Sequence, residues 1–244
     1  MPNFWKVINY VIEQSDILLE VLDSRDVENT RNIEIEDKVE RSGKKLLYVF
    51  NKSDLVDEKI LSFRTKNLKP SVFISAKEHS GVGKLRELIH KNSTAKQVVV
   101  GVLGYPNTGK SSLINALASG GRASTSSESG HTKGSQFVRV SQKIKIIDTP
   151  GVIPYKEKNN EKLAMIGSLD PSKVKDPEDV VIKIMQEYPG LLEDYYGVIE
   201  QDDLELVLAD IALKQNFLIK GGEPNLDRSA RKILRDWQQG NIRR

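Results

Sequence analysis

An apolar strand that leads directly into a glycine-rich loop and a helix constrains this chain more than any other feature. The stretch QVVVGVLG, residues 97–104, has the continuous apolar character of a strand covered on both faces. GYPNTGKSS, residues 104–112, follows it with the spacing G-x-x-x-x-G-K-[ST]. That spacing is typical of a loop that surrounds phosphate with backbone N–H groups at a helix N-terminus. The sequence therefore predicts a strand, a phosphate-binding loop and a helix within a parallel sheet.

The same alternation of strands and helices occupies most of the first 150 residues. Continuous apolar runs predict further strands over residues 17–22, 46–50 and 72–75, and helical spacing predicts helices over residues 3–14, 31–42, 57–67, 82–91 and 110–119. QFVRV and KIKIID, which end at Val140 and Asp148, alternate as a hairpin pair. These units predict an α/β fold with a doubly wound, mostly parallel sheet.

Beyond residue 151 the pattern changes to helices alone. Apolar residues recur at helical spacing from Leu204 to Ile211 and from Leu226 to Trp237, and Gly240 ends the second of these helices. We therefore predict a sheet domain over residues 1–155 and a smaller all-α C-terminal domain over residues 156–244.

The composition fits these two domains and excludes several classes of protein. The 244 residues are 38% hydrophobic and 29% charged, as in folded globular proteins. The absence of cysteine excludes a disulfide framework and a thiolate metal site. No apolar run reaches the roughly 18 residues that a membrane span needs. We expect a cytoplasmic protein with no membrane partner, and its formal charge of +3 is compatible with nucleic-acid binding without indicating it.

The glycine-rich loop also predicts how phosphates would be bound. Asn107, Thr108, Gly109 and Ser112 contribute to the loop and the first helical turn that surround them. Lys110 can reach the β- and γ-phosphate oxygens as a catalytic cation.

Two further segments complete this predicted site. Ser111, which follows the lysine, and Asp148, which ends the strand in IIDTPG, are oxygen ligands suited to Mg²⁺, and the Gly151 N–H can donate to the γ-phosphate. In GHTKG, Thr132 is the candidate for a switch threonine that closes over Mg²⁺ and the γ-phosphate, with Thr125 as the competing choice.

The tetrapeptide Asn51-Lys52-Ser53-Asp54 follows a predicted strand and suits recognition of a guanine base. The Asp54 carboxylate can accept hydrogen bonds from guanine N1–H and the N2 amine, neither of which adenine offers. The alkyl stem of Lys52 can lie on the face of the base, and Asn51 can tie this loop to the phosphate loop.

The tripeptide Ser75-Ala76-Lys77 ends the next predicted strand. The Ala76 N–H is the predicted donor to guanine O6. Each of the two base loops is a weak signal alone, since Asn, Asp and Ser are common in turns.

NKSD, SAK, GYPNTGKSS, the threonine and DTPG resemble the five motifs of Ras-like GTPases, but the base loops precede the phosphate loops. That order resembles the YlqF-related (ribosome biogenesis GTPase A-like) circularly permuted GTPases. The segment 212–242 also resembles the terminal helical domain of that group. The resemblance implies a circularly permuted Ras-like GTPase domain that converts GTP to GDP and phosphate, with large-subunit precursors and rRNA, rather than DNA, as partners.

The resemblance also bears on catalysis. Val152 stands where Ras-like GTPases place a water-orienting glutamine, so we expect slow hydrolysis by the protein alone. Asn107 occupies the position that helps to coordinate K⁺ in related potassium-stimulated GTPases, which makes K⁺ a possible second cofactor.

A basic stripe marks the last predicted helix. Arg228, Arg231, Lys232 and Arg235 are spaced so that they share one helical face. Residues 211–244 carry eight basic and three acidic residues, whereas residues 157–200 carry five and ten. With the resemblance, this stripe predicts contact with RNA phosphates. Two alternatives remain open: a protein-binding regulatory GTPase without an RNA partner, and an ATP-using P-loop kinase or ATPase.

Overall fold

The strand Ile17–Asp23 is buried at all seven positions, because it lies between two parallel neighbours and has helices on both faces. The structure, a computed structural model, describes residues 4–119, 136–149 and 159–242. The chain divides into two compact units, residues 1–158 and 159–244. The boundary predicted at residue 155 lies outside the described residues.

The first unit is built on one sheet. Its strands are β1 (Ile17–Asp23), β2 (Lys45–Asn51), β3 (Ser71–Phe73), β4 (Val98–Leu103), β5 (Gln136–Arg139) and β6 (Ile144–Asp148). Their order across the described part of the sheet is β3-β2-β1-β4-β6-β5, and only β5 is antiparallel to its neighbour. The predicted doubly wound, mostly parallel sheet and the predicted hairpin pair are both confirmed.

Helices cover both faces of this sheet. In chain order they are α1 (Phe4–Gln14), α2 (Val27–Thr30), α3 (Ile33–Arg41), α4 (Glu58–Arg64), α5 (Val82–Lys91) and α6 (Lys110–Ser119). Ile8 and Val11 of α1 pack with Ile35 of α3 on one face. Leu85 of α5 and Leu113 of α6 pack on the other. The alternating side chains of β1 face these two cores in turn.

The predicted helix over residues 31–42 is wrong at its start. Arg31 is extended, and Asn32 instead caps α3 by accepting the Ile35 N–H at 3.2 Å. The Asn32 N–H in turn donates to the buried carboxylate of Glu20 at 2.8 Å. This long-range contact fixes the helix start two residues later than helical spacing suggested.

The second unit is helical, as expected. Its helices are α7 (Asn160–Met165), α8 (Pro177–Glu187), α9 (Leu191–Tyr196), α10 (Leu204–Lys214) and α11 (Leu226–Gln239). Trp237 of α11 stacks on Tyr188 with ring centroids 5.7 Å apart, and its indole N–H donates to the Met165 carbonyl at 2.7 Å. Gly240 ends α11 at a φ of 73°. No helix in the described ranges is long and apolar enough to cross a membrane.

Candidate nucleotide-binding site

The phosphate loop has the backbone shape that its glycines predict. Gly104 follows β4 at a φ of 140°, and Asn107 and Gly109 also have positive φ, of 62° and 92°. A Cβ on Gly104 would lie 2.5 Å from the Val21 carbonyl oxygen of β1, so only glycine fits there. A loop with successive residues of this kind turns its N–H groups toward one concave surface, which suits an anion.

Lys110 begins α6 and is 6% exposed. Its ammonium donates to the Tyr105 carbonyl within the same loop at 2.5 Å. Burial lowers the pKa of Lys110 to about 8, and the nearby Asp148 carboxylate opposes that shift. The lysine is therefore a cation held inside the loop, where phosphate oxygens would restore its ordinary affinity for a proton.

The hydroxyl groups of this region fall into two classes. Thr108 is buried and donates to the Tyr105 carbonyl at 3.0 Å, whereas Ser111 and Ser112 are exposed on the first turn of α6. Asp148, at the end of β6, has a pKa raised by burial, an effect that Lys110 reduces.

These residues fit a Mg²⁺ ion of the kind that nucleotides carry. The described residues hold no cluster of three or more acidic or histidine side chains that would bind a metal unaided. Mg²⁺ usually needs only one or two protein oxygens besides phosphate and water. Ser111 and Asp148 supply one hydroxyl and one carboxylate of this type.

Asn51 joins the base loop to two neighbouring loops. Its side-chain amide donates to the Thr108 carbonyl at 2.9 Å, and its oxygen accepts the Ala76 N–H at 3.0 Å. A Cβ on Gly109 would lie 2.2 Å from the Asn51 amide nitrogen, so the phosphate loop can approach this closely only with glycine. The hydrogen bond from Asn51 to Thr108 is the predicted tie between base loop and phosphate loop, and the bond from Ala76 joins the base loop to the loop after β3.

The base loop turns sharply after β2. Lys52 has a φ of 60°, and Asp54 lies in a single 3₁₀ turn, Ser53–Leu55. The Asp54 side chain is exposed and thus accessible to a ligand, whereas Asn51 is buried. Buried Asn51 holds the loop, and exposed Asp54 is the residue that can meet a base.

The loop after β3 differs from expectation at one atom. Ser75 is buried, and its hydroxyl accepts the Glu78 N–H at 3.1 Å. The Ala76 N–H, which the sequence assigned to guanine O6, is already donated to Asn51. The adjacent Lys77 is exposed, and its N–H has no acceptor among the described residues.

Two charged residues at the end of β1 were not predicted from the sequence. The Asp23 carboxylate accepts the Lys52 ammonium at 2.8 Å and the Arg25 guanidinium at 2.7 Å. Burial opposes ionisation of Asp23, but the charges of Arg25 and Lys52 outweigh it and hold its pKa well below the usual range. The signal that could have indicated this cluster is the acidic residue Asp23 at the carboxyl end of β1, the strand beside the base loop.

Three site predictions remain without a structural account. Thr132, its competitor Thr125 and Gly151 lie outside the described residues. Asn107, the predicted K⁺ ligand, is exposed in the phosphate loop.

The basic stripe of α11 divides into two pairs. Arg231 and Lys232 form ion pairs with Asp227 and Asp236 of the same helix. Arg231 also donates to the Pro171 carbonyl at 2.6 Å.

The other two arginines of the stripe face outward. Arg228 and Arg235 are exposed, and the Arg228 guanidinium lies 4.4 Å from the centre of the Phe217 ring. Of the four stripe residues, these two are the ones that a partner can reach most directly.

The chain is similar to known GTPases and GTP-binding proteins. Residues 31–156 match the family model described as RsgA GTPase, and residues 99–216 match the one described as 50S ribosome-binding GTPase. The chain is 41% identical to an uncharacterised GTP-binding protein of Methanocaldococcus jannaschii, over 97% of this chain and 65% of that protein. It is 33% identical to nucleolar GTP-binding protein 2 of Saccharomyces cerevisiae, over 98% of this chain and 52% of that protein. The chain thus spans about half to two thirds of the length of these relatives.

A solved structure gives the same result for the fold. GNP-bound YlqF from T. maritima superposes with a TM-score of 0.67 at 23% identity, covering 98% of this chain and 94% of that one. In this chain the base loop at residues 51–54 precedes the phosphate loop at residues 104–112. The chain therefore belongs to the circularly permuted GTPases, as a member of the RsgA GTPase family with the fold of YlqF.

Proposed function

We propose that this chain is a GTP-hydrolysing switch that acts in assembly of the large ribosomal subunit. The observation that carries GTP binding is the pair of Asn51 hydrogen bonds, to Thr108 and from Ala76. They hold the base loop and the phosphate loop at one edge of the sheet, so a single nucleotide can meet both. Ligands of open α/β sheets bind at this edge, beside the carboxyl ends of the strands.

The base is selected by Asp54. Its exposed carboxylate accepts the N1–H and N2 amine of guanine, and it would face an adenine with no donor to match. The Lys77 N–H takes the part of the O6 donor, because the Ala76 N–H is engaged with Asn51. These assignments distinguish a GTPase from an ATP-using kinase or ATPase.

Asp54→Asn tests this assignment. Loss of a charge-assisted hydrogen bond should weaken GDP binding roughly tenfold to a hundredfold. Xanthine has a carbonyl in place of the N2 amine, so the variant's amide should shift preference toward xanthosine nucleotides. Binding of fluorescent nucleotide, competed by GDP and XDP, measures both effects.

Asp57→Asn is the matched control, because Asp57 is also exposed but instead caps α4, accepting the Ile60 N–H at 3.2 Å. An unchanged preference for GDP in Asp54→Asn would remove the base-site assignment.

The phosphates are held by the loop from Gly104 to Lys110. The loop N–H groups and the Lys110 ammonium would bind the β- and γ-phosphates, and Ser111 and Asp148 would hold Mg²⁺. Bound Mg²⁺ supplies charge neutralisation at the phosphate oxygens. The roles of Thr132 and Gly151 at the γ-phosphate stay predictions.

Hydrolysis by the protein alone is slow, because Val152 has no polar group to orient water. We propose that Asn107 would help to hold a K⁺ ion, which would supply positive charge as an arginine finger does in other GTPases.

Turnover should therefore be faster in KCl than in NaCl of equal concentration. Asn107→Gly keeps the positive φ of 62° but removes the side-chain oxygen, and it should abolish the potassium advantage. Equal rates of phosphate release in the two salts would contradict the potassium site.

The partner proposal draws on three observations. The matched family model is described as a 50S ribosome-binding GTPase, and the yeast relative is named as nucleolar. Arg228 and Arg235 are exposed on α11, within a unit whose last 34 residues, 211–244, carry a net charge of +5 from eight basic and three acidic side chains. We propose that this basic end contacts rRNA of a large-subunit precursor. A cytoplasmic location stays a prediction.

Co-sedimentation with ribosomal subunits tests this proposal. The chain should migrate with large subunits when a non-hydrolysable GTP analogue is present and should dissociate with GDP. Failure to sediment with subunits in either state would favour a protein-binding regulatory GTPase without an RNA partner.

A further inference from the structure

The carboxyl end of β1 carries a buried ion cluster that the recognised motifs leave unexplained. Asp23 and Arg25 are 3% and 2% exposed. Both oxygens of the Asp23 carboxylate are engaged by the Arg25 guanidinium, at 3.0 and 2.7 Å, and one also accepts the Arg25 backbone N–H at 3.0 Å. This fork leaves the carboxylate with one fixed orientation.

That carboxylate also receives a cation from the base loop. The Lys52 ammonium donates to Asp23 Oδ2 at 2.8 Å. The contact depends on strand register, because Asp23 of β1 lies directly beside Asn51 of β2 and the Ser24 N–H donates to the Asn51 carbonyl at 2.9 Å. A change of register by one residue would point Asp23 to the opposite face of the sheet.

Arg25 by itself would neutralise the Asp23 charge, so the second cation calls for a separate explanation. The Lys52 side chain is 19% exposed, and the ion pair with Asp23 holds it in place. A lysine stem free in solution would lose rotamer freedom on contact with a ligand. Here that freedom is already lost before a ligand arrives, as expected for a preorganised binding surface.

We propose that Asp23 is a positioning residue for nucleotide recognition, which holds the Lys52 ammonium so that the lysine stem lies along one face of the guanine base, with Arg25 fixing the carboxylate. The proposal rests on the assignment of residues 51–54 as the base loop. Asp23 acts through Lys52 and makes no contact with the nucleotide itself.

A double-mutant cycle tests this coupling. Asp23→Asn should weaken binding of fluorescent GDP by up to about tenfold, the cost of ordering one freed lysine side chain when the nucleotide binds. Most of that loss should lie in faster dissociation. Lys52→Met should weaken binding by a similar factor, and the double variant should bind no worse than Lys52→Met alone, because the carboxylate then has no lysine to position.

Glu20→Gln is the matched control. Glu20 is a fully buried acid of the same strand on its opposite face, where it accepts the Asn32 N–H. This variant should alter thermal stability without changing GDP dissociation.

Arg25→Met covers the case in which Asp23→Asn does not fold. It leaves the Asp23–Lys52 pair in place and should weaken GDP binding less than Lys52→Met does, again with no further loss in the Lys52→Met background. If the losses of GDP affinity from the two single substitutions multiply in the double variants, the positioning role is overturned.

Equal GDP dissociation rates in Asp23→Asn and Glu20→Gln would also overturn it. The outcome is separable from the base-site assignment: Asp54→Asn can shift preference to xanthine while the Asp23 and Lys52 losses multiply. In that case only the positioning role fails.

Discussion

At the scale of single residues, burial within the phosphate loop disfavours the charged form of Lys110. Burial lowers its pKa to about 8 from an ordinary value of 10.5. Between those two values the unfolded chain binds more protons at this site than the folded chain does. The Lys110 contribution to the free energy of unfolding of the nucleotide-free protein therefore rises as pH rises through this window.

Nucleotide phosphates reverse that preference, because they stabilise the ammonium. Binding should therefore take up a proton at pH 8.5 and much less at pH 7, and GDP affinity should fall as pH rises above about 8. Calorimetry in buffers of different ionisation enthalpy counts the proton directly.

Lys110→Met should abolish the pH-linked uptake, whereas Lys143→Met, at an exposed turn, should retain it. An affinity that stays flat from about pH 7 to 9.5 would contradict this role of Lys110.

The residues of the site differ in how far sequence reveals them. The phosphate loop could be predicted because its residue spacing and the strand before it are local features of the sequence. Asn51 could be assigned from the tetrapeptide that it begins. Asp23 could not be linked to Lys52, because the two are 29 positions apart and meet only through strand register. The hydrogen bond from the Ala76 N–H to Asn51 could not be predicted for the same reason, since its acceptor lies 25 positions earlier.

At the scale of elements, α11 has one face that packs in the core and another that is exposed and basic. Ile233, Leu234 and Trp237 are buried in the core of the helical unit, and Arg228 and Arg235 of the same helix are exposed. The apolar and basic residues therefore occupy opposite faces, which is the pattern that helical spacing predicted. The helix must stay packed for the basic face to have a fixed shape.

Trp237 should contribute most to that packing. Trp237→Phe keeps an aromatic ring beside Tyr188 but removes the hydrogen bond to Met165, and should lower the free energy of unfolding by about 1 kcal/mol. Trp237→Ala also leaves a cavity and should cost roughly 3–5 kcal/mol. Urea denaturation followed by circular dichroism measures both.

Arg235→Ala serves as the control on the exposed face of α11 and should change stability by less than about 0.5 kcal/mol. Equal stability of the two Trp237 variants would mean that the indole packs less tightly than its burial indicates.

Helix and strand types were predictable from periodicity, whereas boundaries depended on tertiary contacts. Strands β1, β2 and β4 are apolar throughout their centres and were placed within a residue or two. The start of α3 was misplaced because Asn32 is fixed by Glu20, twelve positions away. Periodicity reports which face is buried, but it carries no information about a cap set by a distant strand.

At the scale of the whole molecule, charge is divided unevenly along the helical unit. Residues 157–200 have five basic and ten acidic side chains, whereas residues 211–244 have eight and three. An RNA partner would meet the basic segment and be repelled by the acidic one. Under the proposed RNA contact, the exposed arginines of α11 would therefore set both the strength and the orientation of binding.

Arg228→Gln with Arg235→Gln should weaken association with large subunits and lower the dependence of log affinity on log salt by about two. Lys173→Gln with Lys175→Gln removes the same charge from exposed positions in the acidic segment and should have a smaller effect. Salt titrations of subunit binding compare the two pairs. Identical salt slopes for both double variants would place the contact elsewhere.

The order of the strands along the chain has a consequence for synthesis. Asn51 and Thr108 are 57 positions apart, so the base loop is translated well before the phosphate loop. Until β4 arrives, the edge of β1 that will pair with Val100–Leu103 lies open between residues 17 and 20. A nascent chain at this stage lacks the phosphate loop. Docking of β4 on β1 brings that loop beside the base loop, and β6 and β5 are added beyond β4 only afterwards.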